Sequence, residues 1–229
     1  DVFEMPFVFK DLESPKKFLA AGADKILDEE FQKKGVKNLF WVDYGYIQFF
    51  NNKHTLKTPA DFQGLTMRTF SSGDAETLKA LGAAPTVMSS SEMYMALQRG
   101  TVDGATTGMP AAVSRKVHEV QKYMTMANYT TAQFVVQGNL DWWNGLSDEL
   151  KDAVIKAGLD AEEWIRGAIA ESENAAEKVI REAGVEIYSP TAEEHEAFVK
   201  ATEPVRKTFA EKTGEVGQKL IDMAIAASK

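Results

Sequence analysis

Arg68 lies inside an apolar, strand-like run, Leu65-Thr66-Met67-Arg68-Thr69-Phe70, and is the side chain of this sequence best suited to holding a small molecule. A guanidinium among such neighbours needs a partner, and its planar fork matches a carboxylate in a two-bond pair. A solvent-facing arginine, or one paired with a nearby Asp or Glu, fits the same pattern, and spacing alone leaves these readings open. Ser71 and Ser72 follow where the strand passes into a helix, so hydroxyls and the first helical amides there offer donors to an anion. Thr106, Thr107 and Gly108 follow a strand at 102–105, at the edge where open α/β sheets place ligand-facing loops; plain turn chemistry explains them as well. Tyr44, Tyr46, Phe49 and Phe50 cluster with Trp41, a pattern that fits core or interface packing more often than a pocket wall.

Other chemistry finds little support. The histidines His54, His118 and His195 are far apart, and His118-Glu119 lacks the second histidine of a zinc-binding helix. The chain has no cysteine, which excludes disulfides, cysteine-ligated zinc, iron–sulfur clusters and thiol nucleophiles. No Gly-x-Ser-x-Gly elbow, phosphate-cradling loop or dinucleotide fingerprint occurs, so no metal or cofactor is expected. One pair of enzyme-like motifs exists, Ser14-Pro15-Lys16-Lys17 and Lys212-Thr213-Gly214, the pattern of serine acyl-transferring enzymes. Ser14 reads better as a helix cap, the Ser-Asp-Asn element is missing, and Lys212-Thr213-Gly214 lies between helical runs. The acyl-transfer reading is therefore the weaker alternative.

The 229 residues carry 26 basic and 34 acidic side chains, a net charge of −8, without a Lys/Arg-rich block. That removes the footprint of a nucleic-acid binder and requires a local cation for any anionic ligand. No apolar run approaches the roughly 20 residues needed to cross a bilayer. With 44% apolar residues the chain can form one large domain or two lobes of about 100 residues each. It begins Asp1-Val2-Phe3-Glu4, with neither an initiator Met nor a signal segment, so a processed or truncated chain is expected.

The elements that position these groups follow from periodicity. Ser14-Pro15 opens a helix with Phe18, Leu19, Ala23, Ile26, Leu27 and Phe31 on one face, ending at Gly35. Residues 36–41 and 46–50 read as two strands, 65–70 as a third, and 74–81 as a helix closed by Gly82. Residues 85–88 are extended, Ser89 and Glu92 have capping-box spacing before Met93, Ala96 and Leu97, and 102–105 returns to a strand. Alternating strands and helices predict an α/β fold. Residues 147–183 hold helical spacing without proline; one helix of about 36 residues is about 54 Å long, against a globule about 45 Å across. It therefore breaks, at Gly158 or Gly167, or runs along two lobes as a spine, which makes a hinged protein. A strand at 185–188 and a capping box at Thr191 precede a last helix, which Pro204 is expected to interrupt before a tail carrying Ile221, Ala224 and Ile225.

Several segments together resemble one family, the DctP-type substrate-binding proteins of tripartite ATP-independent periplasmic (TRAP) transporters. They are Lys57-Thr58-Pro59-Ala60-Asp61-Phe62-Gln63-Gly64-Leu65-Thr66-Met67-Arg68, Leu78-Lys79-Ala80-Leu81-Gly82-Ala83-Ala84-Pro85-Thr86-Val87-Met88, and Ser91-Glu92-Met93-Tyr94-Met95-Ala96-Leu97-Gln98-Arg99-Gly100-Thr101-Val102-Asp103-Gly104. Met5-Pro6-Phe7-Val8-Phe9, His118-Glu119-Val120 and Asn139 with Trp143 match more loosely. The resemblance implies a two-lobe periplasmic binding-protein fold with crossing hinge strands and a long spine helix. Lobe I would comprise 1–45 and 134–172, without its N-terminal βα units; lobe II would comprise 46–133 and 173–229, with the helix at about 147–183 spanning both.

It further implies a periplasmic, non-enzymatic protein that takes a small organic acid into an inter-lobe cleft and delivers it to a sodium-coupled membrane permease. A sensing module that signals to a partner is the alternative within this class. Arg68 would be the carboxylate anchor, with Ser71 and Thr107 as polar contacts. Tyr46 and Phe134 would shape the pocket, although strand alternation sets Tyr46 and Gln48 opposite Ile47. Glu92 reads first as a helix cap and second as a site group. Sialic-acid-binding members carry a second arginine where this chain has Ile47, so a second anionic group at that position, and sialic acid with it, is disfavoured.

Overall fold

β-branched and aromatic residues fill Val36–Asn51, and in the computed structural model, which describes residues 2–229, they form one strand of 16 residues, β1. The two shorter strands expected at 36–41 and 46–50 are joined because Gly45 takes a positive φ of 98° beside a β-bulge between Asp43 and Gly45, which carries the chain through without ending the pairing. β1 pairs antiparallel along its length with β5 (Tyr123–Asn139), and its C-terminal end pairs antiparallel with β4 (Gly104–Gly108). Parallel pairing attaches β2 (Thr66–Thr69) to β4 and β3 (Ala84–Val87) to β2, while β6 (Glu186–Tyr188) runs parallel to β5. One six-stranded sheet of order β3-β2-β4-β1-β5-β6 results.

The helices follow the expected caps with three differences. The N-terminal helix is not continuous: α1 (Ser14–Phe18) passes through a π-helical turn at Leu19–Ala23 into α2 (Asp24–Gln32), with Gly22 at a positive φ of 105°. Ser14 is not its cap. Glu13 holds the cap position, and the buried Ser14 hydroxyl donates to Asp11 at 2.6 Å while Lys17 is exposed, so the serine–lysine pair of an acyl transferase is not assembled. At the other end, α8 (Ala192–Ala227) continues through Pro204 and instead departs from helical geometry at Gly214, where φ is 66° and ψ −152°. Between these lie α3 (Ser72–Leu81), α4 (Ser90–Gln98), α5 (Met109–Ser114), α6 (Leu140–Asn144) and α7 (Asp148–Glu182).

α7 is a single unbroken helix of 35 residues, so neither Gly158 nor Gly167 ends it. Gly158 serves close approach: a Cβ there would lie 2.9 Å from atoms of Phe40 on β1. Three charged side chains of α7 then stitch it along that strand. Glu162 accepts the Trp41 amide at 2.7 Å, Arg166 pairs with Asp43 at 3.1 Å, and Glu173 accepts the Tyr46 amide at 3.2 Å. Apolar packing forms three clusters. Met93, Val102, Val117 and Ile180 are in the first, Phe49, Phe62, Leu78 and Phe198 in the second, and Phe3, Phe9, Phe18 and Trp41 in the third.

Glu173 is only 8% exposed, and burial, aided by the neighbouring Glu177, pushes its carboxyl up to about 7 from 4.5. Because the folded value lies above the unfolded one, the contribution to stability is complete below about pH 4.5 and is lost as pH rises through 7. Glu173→Gln keeps the acceptor for the Tyr46 amide. The wild type is expected to lose up to about 3 kcal/mol relative to this variant between pH 4.5 and 8. Urea unfolding of both proteins across that range is the check, and parallel pH profiles contradict it.

Candidate functional site

β2 places Arg68 between two neighbouring strands, with only 2% of its surface exposed. Its Nε and Nη2 donate to the Met88 carbonyl at 3.0 and 2.8 Å, Nη1 donates to the Thr106 carbonyl at 3.1 Å, and Nη2 donates to the Ser90 hydroxyl at 3.2 Å. These bonds use four of the five guanidinium N–H groups and leave one on Nη1. Among the described residues no carboxylate forms an ion pair with Arg68. The carboxylate whose attraction bears most on it is Asp74, which is fully buried and accepts hydrogen bonds from Thr69, from Thr106 at 2.7 Å and from Tyr129 at 2.6 Å. Burial lowers the Arg68 pKa and raises that of Asp74, and the attraction between them opposes both shifts. An arginine does not lose its proton in a protein, so a fixed positive charge is held by carbonyl dipoles with Asp74 behind it.

That charge heads a cavity of about 430 Å³. Thr106, Thr107 and Ser90 flank Arg68, Tyr44 and Ile47 come from β1, and Gln133 and Phe134 come from β5. Apolar residues of the N-terminal third, among them Phe3, Leu27 and Phe31, close another side, together with the carboxylate of Glu4. The Tyr44 hydroxyl lies 3.4 Å from Thr107 Oγ1, and its ring meets Phe134 edge-on at 5.2 Å. Gly108 makes room for that ring, since a Cβ there would lie 2.8 Å from Tyr44 Cε1. Phe134 is 56% exposed, at the rim of the cavity.

The structure thus brings Arg68, Thr107 and Phe134 to one cavity and sets Tyr46, Ser71 and Glu92 outside its lining. Tyr46 turns away, its hydroxyl 3.5 Å from the Lys10 carbonyl; burial and the charges of Asp11 and Glu173 push its pKa up to about 12. Ser71 caps α3 by accepting the Asp74 amide at 3.0 Å, and donates at 2.8 Å to Glu4, itself in the cavity wall. Glu92 completes the capping box, accepting from Ser89 Oγ at 2.5 Å.

Sequence reasoning did not select Tyr44, Ser90, Glu4 or Arg115, all of which line the cavity. Tyr44 is the residue left without a partner where the β1–β5 register slips between Asp43 and Gly45. This extra residue breaks alternation, so that Trp41, Tyr44 and Ile47 reach the cavity at a spacing of three. Gly45 was the available signal. Gln48, facing away, pairs with Asn128 at 2.6 Å.

An open sheet with helices on its faces, a long helix along the crossing strands and a buried arginine at a cavity define a two-lobe solute-binding fold, and the comparisons agree. The TRAP periplasmic solute-binding protein of Shewanella oneidensis, solved with bound succinate, superimposes with a TM-score of 0.92 at 27% identity, covering 100% of this chain and 74% of that one. That of Roseobacter denitrificans, solved with bound β-D-glucuronate, gives 0.92 at 28% identity, covering 98% and 74%. The C4-dicarboxylate-binding periplasmic protein DctP of Rhodobacter capsulatus is 34% identical over 216 residues, 93% of this chain and 65% of its own length. Residues 1–213 match the DctP family, described as bacterial extracellular solute-binding protein, family 7, and the chain belongs to that family. Its members and these structural neighbours are transport proteins, not enzymes.

Tyr129→Phe removes a buried hydroxyl from Asp74 and leaves the ring packed on Phe49, 4.2 Å away. Stability is expected to fall by about 1–3 kcal/mol, read from urea unfolding at pH 7. An unchanged midpoint contradicts the role given to this hydroxyl.

Proposed function

We propose that the protein captures a small organic anion bearing a carboxylate and presents it, in the periplasm, to a TRAP membrane permease. One observation carries this reading. A buried guanidinium heads a cavity with an Nη1 N–H left over and, among the described residues, no carboxylate paired to it. A ligand carboxylate takes that N–H together with the Nη2 N–H now on Ser90, whose 3.2 Å bond is the longest of the four. Thr107 donates to a second oxygen, Tyr44 and Phe134 pack on the ligand's carbon frame, and Ser71 bears on the site through Glu4. Tyr46 and Glu92 support it from outside, by bracing β1 and by capping α4.

The relatives supply the ligand class. Proteins similar to this chain are named for C4-dicarboxylates or were solved with succinate or glucuronate. The lobes would be 1–45 with 134–172 and 46–133 with 173–229, the antiparallel pair β1 and β5 crossing between them and α7 spanning both. Ligand bound to both lobes favours the closed form, which offers the permease a surface that the open form lacks.

Calorimetric titration with succinate and D-glucuronate tests the anchor. Arg68→Ala is expected to weaken whichever acid binds by roughly 2–5 kcal/mol, and Arg68→Lys to recover only part of that, because the fork is lost. Unchanged affinity in Arg68→Ala removes the anchor.

A further inference from the structure

Glu173 lies outside the cavity, yet it touches the strand that shapes the cavity wall. Its carboxyl is buried on α7 and, among the described residues, is bonded only by the Tyr46 amide, which donates to Oε1 at 3.2 Å. That contact falls where β1 is irregular. Gly45, with its positive φ of 98°, leaves the room the carboxyl fills, since any Cβ there would overlap Glu173 Oε1. Tyr44, the extra residue of the bulge, is the next residue back along β1 and lines the cavity. In the lobe division proposed above, β1 changes lobe between Gly45 and Tyr46 and α7 between residues 172 and 173, so the Glu173–Tyr46 bond joins the two crossing points.

Nothing around Glu173 balances a negative charge on it. Glu177, one turn further on α7, is of like sign and has Arg181 as its own partner at 2.6 Å. On β1, Asp43 is taken by Arg166 at 3.1 Å, and the Tyr46 phenol keeps its proton under the charges of Asp11 and Glu173. α5, also packed on α7, carries no titratable side chain. Burial therefore favours the neutral acid and pushes the Glu173 pKa up to about 7. The neutral acid accepts the Tyr46 amide in place, whereas a carboxylate gains by moving out of the bulge toward water.

We propose that Glu173 is a positioning residue for ligand capture: as the neutral acid it holds the β1 bulge that sets Tyr44 in the cavity wall, and its ionisation loosens that bulge and weakens binding. This rests on the capture reading above. Binding then draws Glu173 toward the acid form, so affinity falls as pH rises through 7 and a proton is taken up with the ligand.

The test is calorimetric titration of the whole chain with succinate and D-glucuronate from pH 6 to 8.5, each in two buffers of different ionisation heat. For the wild type, affinity for whichever acid binds is expected to fall roughly five-fold or more over that range, with net proton uptake on binding at pH 7.5. Glu173→Gln shares the ligand's own titration and keeps the amide acceptor, so it should show neither the fall nor the uptake. Glu173→Ala, which leaves the amide unheld, should bind more weakly than Glu173→Gln at every pH. A wild-type profile that Glu173→Gln reproduces, or wild-type binding without proton uptake at pH 7.5, overturns the proposal and leaves carboxylate capture standing. Failure of both acids to bind at any pH overturns both.

Discussion

Everything in this structure that bears on a ligand is arranged around one buried charge without an ionic partner among the described residues. Moving a guanidinium out of water is costly, and the Arg68 site offsets that cost with backbone carbonyls at Met88 and Thr106. Carbonyl dipoles hold the cation in place without neutralising it, as a direct carboxylate contact would. Asp74 contributes attraction from behind, but its oxygens are occupied by the hydroxyls of Thr69, Thr106 and Tyr129. The charge therefore remains available on the cavity side.

That requirement explains the local architecture. β2 lies between β3 and β4, so the carbonyls that hold the guanidinium come from neighbouring chain segments and any displacement of the sheet would unmake the site. Ser90, at the start of α4, accepts from the guanidinium, while Ser71, the cap of α3, reaches the cavity wall only through Glu4. On the far side, the side chains of α7 hold β1 through the backbone amides of Trp41 and Tyr46 and the side-chain carboxylate of Asp43, along the stretch whose bulge aims Tyr44 at the cavity. Long helix, bulged strand and pocket wall are mechanically one unit.

How far the sequence could be read follows from the same features. Period and caps were sufficient for the α/β order, which leaves a local signature, but they left 147–183 open between one helix and a broken one and left Arg68 open between a ligand anchor, a solvent-facing arginine and an ion-paired one. The structure makes the first a single helix and shows the second buried on backbone carbonyls. Alternation misled where an extra residue enters β1, since a bulge changes the facing of residues without changing their types; hence Tyr44 rather than Tyr46 lines the cavity. Ser71 and Glu92 are polar residues near the arginine in sequence, yet their side chains are committed to helix starts. Arg115 carries no signature at all, because an arginine beside a lysine after a short helix looks like any solvated charge. Only the return of α5 toward the cavity distinguishes it. Pro204 stays helical while Gly214 does not, a difference set by backbone conformation, for which glycine is permissive.

Capture of an external acid by Arg68 is tested most directly by native mass spectrometry of wild-type and Arg68→Gln protein purified in parallel. The predicted result is a mass excess on the wild type, released by denaturation, with the formula of a carboxylic acid, and its loss in the variant. The same excess on both proteins, or a bound molecule with no acidic group, would contradict it.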